Sequence, residues 1–277
     1  LCLQEYYHPE DLMAMGLALG GLACARRGSW VWAGILLGLA FTSQQFVLLI
    51  IAPMLIVAPP SRRIRFAGSA ILSAMVVIGP MILLTSGQVI AAVTGGGATP
   101  EVGASLLAQF HLHGLALFTL SRILPIALSM ALAQSMVRRL GPAVLESLPL
   151  TSLIAVSLTL RLIFEVNLYG YYLMAIGVML IALEVMRGRI SVYLVGWIAL
   201  VFLAFDPLKW GDKPFSLASP ILWQVLVVPP ALLLAAAPLI SAAYPQFGAA
   251  RRRIGSVLRL RVNAEAIHGG VNVSPER

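Results

Sequence analysis

Apolar residues fall in long runs along this chain, and short polar or arginine-rich breaks separate them. The runs do not alternate with period two, which argues against a membrane β-barrel. They approach the ~20 residues that a helix needs to cross a bilayer, and they predict helices over 12–25, 66–85, 115–137, 143–160, 170–186, 190–205 and 219–243. The stretch from Trp30 to Ala58 is too long for one upright crossing and too short for two full ones. Thr42-Ser43-Gln44-Gln45 lies near its middle, so the stretch reads as two short helices, 30–42 and 45–58, meeting at a polar tip. Such a tip is tolerated at membrane depth where it is buried in protein or lines a watery cavity. The other reading is one long tilted helix with buried glutamines. With the hairpin, the expectation is an all-α polytopic bundle of nine membrane helices.

Composition supports this pattern. The chain has 277 residues, of which 60% are apolar and 11% charged, and its mean hydropathy is +0.92. A soluble domain has roughly 45–50% apolar and about 25% charged residues, so a soluble globular protein is excluded, and a disordered chain with it. Residues 1–245 read as the membrane domain and 246–277 as a basic cytoplasmic tail. The Arg251–Arg261 stretch of that tail either lies on anionic lipid or is simply solvated. Because the chain opens on Leu1, it is expected to begin inside a longer reading frame and to lack an N-terminal part.

Charge orients the bundle. The net charge is +8, and 17 of the 19 basic residues are arginine. They cluster at Arg26/Arg27, Arg62/Arg63/Arg65, Arg138/Arg139, Arg187/Arg189 and Arg251/Arg252/Arg253. Clusters in short breaks between apolar runs mark cytoplasmic loops rather than a nucleic-acid surface. An even number of crossings separates each pair of successive clusters, which places the N-terminus outside and the tail inside. Seven of the eleven acids (Glu5, Glu10, Asp11, Glu101, Glu165, Asp206 and Asp212) then fall outside or at the outer edge. Only Arg122, Arg161, Lys209 and Lys213 do so among the bases. Cys2 and Cys24 make neither a CxxC nor a metal-ligand spacing.

Candidate chemistry gathers at that outer edge. His8-Pro9-Glu10-Asp11 supplies an imidazole and two carboxylates for base, metal or sugar-hydroxyl chemistry; equally, it is a helix start with acids favoured by the dipole. Gln44 and Gln45 either bond a polar substrate or join helices. Arg161 and Glu165 stand four apart and pair if the helix continues, or Arg161 binds a phosphate bidentately. Tyr171 and Tyr172 stack on a sugar or belong to an interfacial aromatic belt. Arg122, just inside the outer edge and followed by Pro125, must snorkel or pair. The loop Asp206–Pro214 reads as solvated charge. Gly95-Gly96-Gly97 lacks the strand–helix context of a nucleotide loop, and no Walker or haem motif occurs.

These residues resemble a known group. His8-Pro9-Glu10-Asp11, Ala25-Arg26-Arg27-Gly28, Ala33-Gly34…Gly38-Leu39-Ala40, Gln44-Gln45-Phe46, Ser121-Arg122…Pro125 and Arg161…Glu165…Tyr171-Tyr172 are together similar to the middle of C-type glycosyltransferases. The nearest members are actinobacterial polyprenol-phosphate-mannose-dependent mannosyltransferase-like membrane proteins. The match covers roughly residues 8–190. It implies a multi-pass protein of the bacterial plasma membrane that passes a sugar such as mannose from a polyprenyl-phosphate donor to a lipid or glycan acceptor on the outer face. Membrane lipids are the other partners; nucleic acid is not one, and no cofactor is called for, a divalent metal being left open. Glu10 and Asp11 are the catalytic candidates. His8, Gln44, Gln45, Arg122, Arg161, Glu165, Tyr171 and Tyr172 are the substrate-binding ones. The usual catalytic Asp of the family falls before residue 1 in this match, Lys is common at the position of Gln44, and Asp at that of Glu165. The competing classes are a transporter or flippase of lipid-linked or small polar substrates, and a non-catalytic membrane subunit.

Overall fold

The computed structural model describes residues 9–85, 114–165, 172–188, 190–204 and 226–245. His8, Tyr171, Gly95–Gly97, the loop Asp206–Pro214 and the whole basic tail 246–277 lie outside the described residues. Every described element is helical. In chain order they are α1 (Pro9–Arg26), α2 (Trp30–Ser43), a 3-10 turn (Gln45–Val47), α3 (Leu48–Val57), α4 (Pro60–Leu84), α5 (Gly114–Leu140), a second 3-10 turn (Gly141–Leu145), α6 (Ser147–Phe164), α7 (Tyr172–Met186), α8 (Val192–Ala204) and α9 (Val228–Ala243). Three helical stretches, Pro60–Leu84, Thr119–Leu145 and Ser147–Phe164, are long and apolar enough to cross a membrane. The chain divides into two compact units, Leu1–Leu239 and Ile240–Arg277. Of the second, only residues 240–245 are described.

Helix α1 starts at Pro9, whose fixed φ suits the first helical position, with Glu10 and Asp11 in the first turn and Arg26 in the last. Its end is a Schellman motif. Gly28 takes φ +78°, its N–H donates to the Ala25 carbonyl, and the Ser29 N–H donates to the Cys24 carbonyl. The turn folds α2 back along α1, so that Gly20 and Gly21 face Leu36 and Leu37.

The polar tetrad does break the chain. Helix α2 ends at Ser43, and Gln44 is extended at φ −150°, ψ 129°. The hydroxyls of Thr42 and Ser43 both turn back to the Leu39 carbonyl. The direction of the return is read from α4. Trp30 meets Phe66 edge to face with ring centroids 5.9 Å apart. Gly34 lies on Phe66, Ser69 and Ala70, and Gly38 on Ala70 and Ser73. Residue numbers rise together on both helices, so α2 and α4 run parallel, and α3 between them must run the opposite way. The α2–α4 seam is a small-residue contact: glycines four apart meet serines four apart, and the Ser73 hydroxyl donates to the Ile35 carbonyl across it at 3.1 Å. A Cβ on Gly34 or Gly38 would strike α4 backbone.

The arms of the hairpin then part. Helix α2 packs between α1 and α4, whereas α3 packs on α5 and α6. Helix α6 is central: every residue from Pro149 to Thr159 is buried. Its hydroxyls are spent on carbonyls, Ser157 on Leu153 and Thr159 on Ala155, while Ser152 reaches the Ala235 carbonyl of α9. Helix α4 buries only Phe66, Ala70 and Ala74. It leaves Leu83 and Leu84 each 84% exposed, with Ile71, Leu72 and Val76 also outside the protein contacts.

Candidate functional site

The site forms where four elements end together. Helix α6 stops at Phe164. Glu165 leaves it at φ −65°, ψ 133°, with its N–H still donating to the Arg161 carbonyl. The helix does not continue through 165, yet the expected pair forms, because the Glu165 side chain turns back: Arg161 Nε donates to Glu165 Oε2 at 2.5 Å. Arg122, near the start of α5, brings Nη1 to 3.5 Å from the same oxygen. Tyr172, the first residue of α7, lays its ring 4.1 Å from the Arg161 guanidinium carbon. Phe46, in the 3-10 turn at the hairpin tip, stands 6.0 Å away from that carbon.

Burial sets the electrostatics. The Glu165 side chain is 5% exposed and that of Arg161 is 12% exposed, while Arg122 is 35% exposed. A carboxylate that far from water must be paired, and here two guanidinium groups from two helices share it. Arg161 is held at Nε by Glu165 and on one face by an aromatic ring, a stack that strengthens when desolvated. Arg122 is the more accessible of the two cations.

The other candidates among the described residues lie at the same end of the bundle. Gly21 of α1 packs on Leu37 and the Ala33 carbonyl of the antiparallel α2. Asp11 lies ten residues before Gly21, about 15 Å along the axis, which sets it level with the hairpin tip. Asp11 is buried, at 2% exposure, and Glu10 is half-buried. Helix α1 also adjoins α7. Gln44 is half-buried and Gln45 exposed at the tip. Arg122, Arg161, Glu165 and Tyr172 thus make direct contact, while Glu10, Asp11, Gln44 and Gln45 share their level. His8 and Tyr171 lie outside the described residues.

Sequence reasoning treated Phe46 only as part of a motif. An aromatic residue directly after a polar tetrad was the available signal. It also passed over Glu184. That carboxylate is 3% exposed; it pairs with Arg187 and accepts the Ser191 N–H at 2.8 Å. Among the described residues no group of three His, Cys, Asp or Glu side chains is placed to hold a metal ion.

Comparison with family models, with curated proteins and with solved structures finds no match to this chain.

Proposed function

We propose that the chain is the membrane body of a glycosyltransferase, or a part of one, that takes a sugar from a polyprenyl phosphate on the outer face of the bacterial plasma membrane and gives it to a lipid or glycan hydroxyl. The observation that carries this reading is the cluster of Arg122, Arg161, Glu165 and Tyr172 at the end of the bundle opposite Arg26, Arg63, Arg138 and Arg187. In this reading the bundle has nine membrane helices with the N-terminus outside, and the arginine-rich end faces the cytoplasm.

Depth favours a lipid-borne donor. Helix α2 has 14 residues, about 21 Å at 1.5 Å per residue, against a hydrocarbon core of ≈ 30 Å. The hairpin tip therefore stops roughly 10 Å short of the outer boundary. Arg161 lies beside the tip, within reach of a phosphate whose polyprenyl chain stays in the membrane. Among the described residues Arg122 and Arg161 are the two cations at this end, and guanidinium groups suit the oxygens of a phosphodiester.

In the transfer, the bond from sugar C1 to the phosphate oxygen breaks and its electron pair stays on the phosphate. The acceptor oxygen bonds to C1 and its proton passes to a carboxylate base. Arg122 and Arg161 stabilise the charge that grows on the phosphate, an effect enlarged in a dry site. Asp11 or Glu10 orients the acceptor hydroxyl. Gln44, Gln45 and Tyr172 line the approach of the sugar.

The test is sugar transfer from a radiolabelled mannosyl phosphopolyprenol by the full-length protein in proteoliposomes. Arg161→Ala should lower turnover by about 10²–10³-fold, as loss of one preorganised donor does. Normal expression with unchanged transfer would sink the proposal. A second reading, a carrier of lipid-linked or small polar substrates, draws on the broken α2–α3 hairpin, since interrupted helices line carrier sites. It predicts movement of the labelled lipid between leaflets with no transfer of its sugar.

A further inference from the structure

Helix α5 carries a second polar feature at its other end. Ala131, Gln134, Ser135, Arg138 and Arg139 line an open cavity of 480 Å³, within the size range of ligand pockets. Their spacing of three, four, seven and eight residues places them on one face. Ala133 and Met136 are buried elsewhere on the helix, so this stripe faces away from the packed interior. It spans eight residues, about 12 Å. Two arginines stand at its top, an amide and a hydroxyl lie one turn below, and a methyl group forms its floor. One turn further along, Leu128 is 42% exposed. The face therefore grades from cationic through hydrogen-bonding to apolar.

We infer that this groove binds the headgroup of an anionic phospholipid, with Arg138 and Arg139 on the phosphate, Gln134 and Ser135 on headgroup or glycerol oxygens, and an acyl chain descending over Leu128. Charge complementarity and the gradient name the occupant. A free phosphate ion satisfies the arginines but leaves the lower polar row and the apolar floor without a role. Gln and Ser along a membrane helix are costly unless bonded, and a headgroup bonds them. The inference rests on the membrane placement proposed above but not on sugar transfer, so failure of the transfer assay leaves it standing.

Native mass spectrometry of the full chain, released from nanodiscs of phosphatidylglycerol or phosphatidylcholine, reads the retained lipid directly. Phosphatidylglycerol should be kept in preference to phosphatidylcholine. Arg138→Gln with Arg139→Gln should weaken it about 30-fold, the sum of two surface cations acting on an anionic lipid. Arg26→Gln with Arg27→Gln removes the same charge from the same end of the bundle and should change retention less than about threefold. Ala131→Phe fills the groove floor without touching charge and should also release the lipid. It decides the matter if the double arginine variant does not fold. Equal losses in the two double variants, unchanged retention in Ala131→Phe, or displacement of the lipid by equimolar inorganic phosphate would each overturn the inference.

Discussion

Glu165 and Glu184 are both buried glutamates paired to arginine at helix ends, and they differ in almost everything else. Glu184 is satisfied locally. Arg187 lies three residues on, the Ser191 N–H seven residues on, and Gly188 at φ +68° turns the chain between them. The result is a staple across the α7–α8 turn. Glu165 gathers groups from across the fold, with Arg161 from its own helix and Arg122 from 43 residues earlier, while the rings of Tyr172 and Phe46 stand over Arg161. A local staple closes its charge balance with one cation and one amide. The gathered cluster draws two cations from two helices onto one carboxylate and leaves Arg122 one-third exposed. That reach across helices, with one cation still open to solvent, is what a local splint lacks.

Removing the carboxylate tests the contrast most strongly. Glu165→Ala takes the carboxylate from Arg161, 12% exposed, and a broken buried pair costs about 3–5 kcal/mol. Glu184→Ala frees Arg187, which is 19% exposed and able to extend its head to water. The loss there should be nearer 1–2 kcal/mol, that of one or two ordinary hydrogen bonds. Melting of the two variants in the same detergent checks this. Equal destabilisation would mean that the Glu165 cluster is a splint too.

Much of the helix layout was visible in the order of residues because apolar runs alternate with polar breaks, and three of the resulting helical stretches are long enough to cross a membrane. The break at Gln44 was visible because four polar residues have no other reason to sit mid-run. The Arg161–Glu165 pair followed from a spacing of four, even though Glu165 lies just past the helix end. The hairpin arms were another matter. Their packing on different neighbours, α2 on α4 through Gly34 and Gly38, α3 on α5 and α6, is a choice among helices that are all apolar. Where lipid tails are as greasy as leucine, small-residue seams and shape decide such choices, and a single sequence does not display which seam meets which. Arg122 joining Glu165 has the same origin: each looked like an outward-edge residue, and only packing of α5 on α6 gave them one address.

Double-mutant cycles sharpen the comparison at a smaller scale. Arg161→Gln with Glu165→Gln should show a coupling of roughly 2–3 kcal/mol, at the upper end for contacting groups. Arg122→Gln with Glu165→Gln should show about 0.5–1 kcal/mol, since that contact is longer and one partner is partly solvated. If the Arg122 coupling matched that of Arg161, Glu165 would be held equally by both helices, and Arg122 would be less available to a ligand than its exposure suggests.

The smallest effect belongs to the ring over Arg161. At 4.1 Å from the guanidinium carbon, the Tyr172 face offers its negative quadrupole to a cation drawn from water, worth about 2 kcal/mol in such settings. Tyr172→Phe keeps the face and should lower the melting free energy by less than Tyr172→Leu does. Tyr172→Leu removes the π-system while retaining an apolar body, and should cost about 1–2 kcal/mol. The pairing of variants is what carries weight. A hydroxyl that mattered more than the ring would reverse the order, making Tyr172→Phe the worse of the two. The residue would then act through a hydrogen bond rather than by stacking, as an aromatic of the interfacial belt does when its polar tip meets the boundary. With the order as expected, the ring is part of what holds Arg161 in place, and Glu184 at the opposite end, with no aromatic over Arg187 among the described residues, has no counterpart to it.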